Sequence, residues 1–148
     1  MTVINEDYLY LIIKKLSKFH EIPVVGVVLQ PGYNQVYNRA GLIFALEVVL
    51  EEHRKTYATN WSPLKGKLAL QHLLLKKYNW APDIIQSLKL SDIIILLQEE
   101  LNYAKLPESA KKVLDVYPAY KRTEYFPTIQ EEEWDPDLID QITTTPQW

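Results

Sequence analysis

Residues 36–53 read VYNRAGLIFALEVVLEEH. Tyr37, Ala40, Gly41, Phe44 and Val48 fall on one face of a helix at this spacing. Ile43, Leu46, Val49 and Leu50 extend the apolar surface almost around the axis. A helix that is apolar on nearly every side belongs inside a bundle, with neighbours on two sides. The small pair Ala40–Gly41 would let another helix come close. The fold class that follows is mostly α.

Working outward gives further helices. Asn5 before Glu6 and Asp7 is a helix start, and Leu9, Ile12, Ile13, Leu16 and Phe19 recur at helical spacing, predicting a helix over 6–20. Ser62–Pro63 predicts a helix over 63–78, with Leu64, Leu68 and Leu75 on one face and Gly66 weakening its first turn. Pro82–Asp83 opens a short helix ending near Lys89. Ser91–Asp92 opens another running to about Ala104. Pro107 opens a last one to Tyr117, closed by Pro118. Residues 22–30 interrupt this pattern. Val24, Val25, Val27, Val28 and Leu29 favour extended backbone, so a short strand or a buried extended loop is expected there.

The expected architecture is one compact domain of five or six helices. Residues 1–117 form the helical core and 118–148 an irregular tail. The chain's 148 residues suffice for one hydrophobic core. Residues 1–117 are nearly neutral, whereas 118–148 carry seven acidic and two basic side chains. Tyr120, Tyr125, Phe126, Ile129, Trp134, Leu138, Ile142 and Trp148 are spaced like anchors along that tail, so part of it should lie across the core. Asp135-Pro136-Asp137 could cap a short helix over 138–142.

Catalytic and metal signatures are sparse. There is no cysteine, which removes thiolate chemistry, and no Gly-rich phosphate loop. His20, His53 and His72 sit in three different predicted elements, with no HExxH and no close pair in sequence. Each reads as a surface or helix-end residue. Glu47 and Glu51, with Glu99 and Glu100, are the carboxylates that a helical metal or acid–base site would need. His53 has the wrong phase to join them in the Glu-x-x-His arrangement. No cofactor or metal is therefore expected. The alternative is a small enzyme or metal protein, which would require Glu47, Glu51, Glu99 and a histidine to meet in one pocket. Residues 83–101 loosely resemble a helix-turn-helix, which keeps a nucleic-acid-binding regulator as a second alternative, although the second helix is apolar and ends acidic, against base readout. An acidic start, and no apolar run of about 18 residues, argue against a leader and a membrane span and fit a cytoplasmic location.

Protein binding fits the composition better. Glu131, Glu132 and Glu133 beside Trp134, followed by Asp135 and Asp137, form a candidate acidic-aromatic surface. Tyr125 and Trp148 are further candidate anchors. Such a surface suits a basic partner. The stretch WSPLKGKLALQHLLLKKYNWAPDIIQSLKLSDIIILLQEEL, residues 61–101, resembles small helical enterobacterial proteins. Some of those are phage-associated, and others are immunity proteins of contact-dependent growth inhibition systems. That resemblance implies a non-catalytic cytoplasmic protein that binds a toxin or a phage or host factor. Oligomeric state is left open by the sequence.

Overall fold

In the computed structural model the described residues are 4–121 and 126–138. Helix α1 spans Glu6–His20, and α2 spans Gly32–Tyr57. Then come α3, Lys67–Tyr78; α4, Pro82–Ser87; α5, Leu90–Leu96; and α6, Glu108–Asp115. Short 3₁₀ turns cover Tyr103–Lys105, Pro118–Lys121 and Glu131–Glu133. The architecture is mostly α and forms a single compact domain, with no strand among the described residues.

Helix α1 starts where its cap predicts. The Asn5 side chain accepts from the Tyr8 N–H at 3.1 Å, and Glu21 ends the helix in the left-handed region. Tyr8, Leu9, Ile12, Ile13 and Leu16 form its buried stripe against α2. Helix α2 is longer than 36–53 and is the central element. It packs against α1, α3, α6 and the Pro118–Lys121 turn. The small residue Gly41 does permit a close approach, though not by a helix. A Cβ there would lie 3.1 Å from the Tyr120 Cβ of that 3₁₀ turn.

Three expected elements are corrected. Helix α3 begins at Lys67, because Leu64 and Gly66 both have φ near +57° (56° and 58°) and cannot continue a right-handed helix. Ser62 lies in a 59–62 turn closed by reciprocal backbone bonds with Thr59. Arg54 holds the bend by donating to the Leu64 and Gly66 carbonyls at 2.8 and 3.1 Å. A Cβ at Gly66 would lie 2.6 Å from the Asp137 carboxylate, which that exposed side chain can relieve by turning, so it is the positive φ that calls for glycine here. Helix α5 stops at Leu96, whose carbonyl accepts from the Tyr78 phenol at 3.0 Å. Residues 22–30 form neither a strand nor a buried loop. Val25, Val27 and Leu29 are 74, 85 and 69% exposed.

Residues 126–138 cross the helices as a strap. Ile129, Trp134 and Leu138 are buried with the helical core. The expected helix over 138–142 lies mostly outside the described residues. Leu138 itself closes a turn onto the Asp135 carbonyl.

Candidate functional site

The acidic segment is turned partly inward. Glu133 is only 1% exposed. Its Oε1 accepts from Arg39 Nη1 at 2.5 Å and contacts His20 Nε2 at 2.7 Å, while Oε2 accepts from the Gln130 N–H at 2.7 Å. Arg39, buried on α2, also donates to the Pro127 carbonyl and stacks over the Phe126 ring. A buried ion pair of this kind tolerates the low-dielectric interior only because every partner is hydrogen-bonded. Trp134, also buried, donates its indole N–H to Glu47 Oε1 at 2.6 Å. The expected acidic-aromatic surface therefore does not present Trp134 or Glu133. Glu131 stays at the surface, but its carboxylate accepts from the Leu90 N–H at the start of α5. Glu132 and Asp137 are exposed and Asp135 is half-buried. Tyr125 and Trp148 lie outside the described residues.

Glu47 is the most perturbed acid. Burial pushes its pKa up to about 7, against the opposing pull of the Trp134 hydrogen bond, Arg54 and Tyr8. The Tyr8 phenol, raised by its own burial and by the Glu47 charge, lies against the same carboxylate. Oε2 has no hydrogen-bond partner among the described residues. Below about pH 7 the acid is largely neutral, so its carbonyl oxygen still accepts from Trp134 and no bare charge is stranded in the interior.

The carboxylates of the metal-site alternative do not meet. Glu47 is sealed under Trp134, Glu51 pairs with Arg54 at 3.4 Å, Glu99 is exposed and Glu100 pairs with Lys77. Among the described residues no group of three or more His, Asp and Glu side chains could hold a metal ion. No helix there is long and apolar enough to cross a membrane.

Two histidines do come together, which sequence spacing did not reveal. His53 Nε2 and His72 Nδ1 are 2.8 Å apart across α2 and α3. One ring must donate and the other accept, so the pair holds one proton between these nitrogens. Burial lowers the His53 pKa, helped by His72, Arg54 and Lys76. Tyr57 packs beside both rings, and Lys76 sits over Tyr57 at 5.2 Å.

His72 also lines a groove between α3 and α4. Leu64, Leu68, Gln71, Leu75, Pro82, Ile85 and Gln86 complete it, around a volume of about 210 Å³. Leu68, His72 and Leu75 follow one face of α3 at helical spacing. Leu68 remains 56% exposed and Leu75 38%. The lining holds no Ser, Thr, Asp, Glu or Lys, so no hydroxyl nucleophile or carboxylate faces the His72 ring there. What the groove offers is apolar area with a few amide groups and one imidazole. No protein-family model, curated protein or solved structure matches the chain.

Proposed function

We propose that this chain is a non-catalytic protein-binding domain that receives an apolar segment of a partner protein in the α3–α4 groove. The observation that carries the reading is the pair Leu68 and Leu75. They lie on the groove-lining face of α3 and stay open to solvent. Contiguous exposed apolar side chains around a concavity are characteristic of partner contacts. Lys65, Lys67 and Lys76 flank this face and are exposed, which suits a segment with acidic side chains outside its apolar ones. Glu132 and Asp137 offer a second, acidic contact to the same partner. The role proposed is that of an inhibitor or immunity protein, holding a toxin or a phage or host factor in the cytoplasm.

The test compares wild type with Leu68→Glu/Leu75→Glu in affinity capture from the source cells. Both positions are exposed, so the helical circular dichroism spectrum should be unchanged. Recovery of a stoichiometric protein partner should fall by about tenfold or more. Undiminished recovery by the double variant, or a catch released by nuclease, would contradict the groove reading.

A further inference from the structure

The segment between α1 and α2 is the most apolar exposed stretch of the described chain. Residues 22–31, IPVVGVVLQP, contain no charged side chain. Val25, Val27 and Leu29 point outward, while Ile22 and Val24 pack against the core. Both ends are fixed. Ile22 N–H donates to the Ser17 carbonyl at 3.0 Å, and the Ser17 hydroxyl donates back to the Ile22 carbonyl at 2.6 Å. At the other end Tyr33 N–H donates to the Leu29 carbonyl at 3.0 Å, and Asn34 N–H to the Gln30 side chain at 3.2 Å. Between these anchors, residues 23–28 make no backbone–backbone hydrogen bond among the described residues. Among the described residues the stretch thus leaves apolar side chains without cover and backbone groups to solvent rather than to another backbone. Strand pairing supplies cover for the first and hydrogen bonds for the second.

The order of residues says which partner fits. Val24-Val25-Gly26-Val27-Val28 reads the same from either end. When two such segments lie antiparallel about a twofold axis at Gly26, Val25 of each copy faces Val27 of the other, and Val24 faces Val28. Any two identical segments paired antiparallel about a twofold axis share this reciprocity; what the palindrome adds is that every apposed pair is valine on valine, with glycine on glycine at the axis. β-Branched pairs directly opposite one another are favourable, and no like charges meet across the axis. Gly26 has no atom within 4 Å of its Cβ position, which leaves the axis open to a second backbone. Its φ of +74° bends the free loop, and glycine passes to extended geometry with little steric penalty.

We propose that residues 22–29 are a self-association site, in which the VVGVV segments of two copies of this chain pair antiparallel across a twofold axis at Gly26. The contact is small beside a standard interface of about 1,600 Å², so the dimer is weak and in exchange with monomer. It is separate from the α3–α4 groove and stands or falls independently of it.

Sedimentation equilibrium of the full chain from about 10 μM to about 1 mM tests this. A monomer–dimer equilibrium is expected, weakened about tenfold or more in Val25→Asp/Val27→Asp with the helical spectrum retained. A chain monomeric throughout, one forming open-ended larger species, or an unaffected variant overturns the proposal. The native chain has no cysteine, which makes the register directly readable. Equal amounts of Val25→Cys and Val27→Cys protein, mixed in a thiol redox buffer, should give the mixed disulfide above its statistical share. A mixed disulfide at or below that share overturns the pairing.

Discussion

Residues 126–138 and residues 22–31 are both irregular segments, and they are placed opposite to what their composition suggests. The strap is rich in carboxylates yet sinks Glu133 and Trp134 into the fold. The loop is wholly uncharged yet holds Val25, Val27 and Leu29 in water. The difference lies in the available partners. Arg39 and His20 wait inside for Glu133, and Glu47 waits for the Trp134 indole. Nothing in the described chain covers the outer side of the loop. Polarity alone does not decide burial; a buried polar group needs its complement, and an apolar one needs a neighbour.

That contrast can be broken most severely at Trp134. Trp134→Ala removes a buried indole and leaves Glu47 without its donor, so about 3–5 kcal/mol of stability and roughly 10 °C in Tm should be lost. Thermal and urea unfolding measure this; a shift near zero would return the segment to the surface. Arg39→Ala or Glu133→Ala alone should each cost about 3–5 kcal/mol, because each strands a buried charge. The double change Arg39→Ala/Glu133→Ala should cost less than the two single changes added together, and strict additivity would deny the pairing.

Glu47 has a smaller and pH-dependent effect. Its folded pKa, about 7, lies above the ordinary 4.5, so protonation favours the folded state. Its contribution is complete below pH 4.5 and is lost as pH rises through about 7, on the order of 3 kcal/mol in all. Glu47→Gln keeps an acceptor for Trp134 and removes the charge. Its stability advantage over wild type should grow between about pH 5 and about pH 8 in urea titrations. A constant difference would contradict a buried neutral acid. The smallest effect belongs to the loop, where Val25→Asp/Val27→Asp should change monomer stability by no more than about 0.5 kcal/mol. A large loss would mean that those side chains are part of the core.

Much of the helical framework was legible because its signals are local. Asn5 and the 9–12–13–16 stripe define α1, and the apolar surface of α2 announces its central place. The anchors Ile129, Trp134 and Leu138 were likewise visible as spaced apolar residues in the tail. What failed depended on distant residues. The bend before α3 is held by Arg54 on the Leu64 and Gly66 carbonyls, and the last carbonyl of α5 accepts from the Tyr78 phenol. Glu133 finds partners 94 and 113 positions earlier in the chain. Arg39 could have pointed there, as a cation within a helix apolar on almost every side needs an acid from elsewhere. The groove was half legible. Leu64, Leu68 and Leu75 were placed on one face, but only the fold shows that Leu68 and Leu75 are left uncovered.

Hydrogen exchange of the free chain, read by mass spectrometry for these two segments together, tests the account most directly. The hydrogen-bonded Gln130, Glu133 and Trp134 amides of the strap should exchange slowly, in step with α2, while those of residues 24–28 exchange almost at once in dilute solution. Strap amides exchanging as fast as those of the loop would contradict the claim that the acidic segment is part of the core.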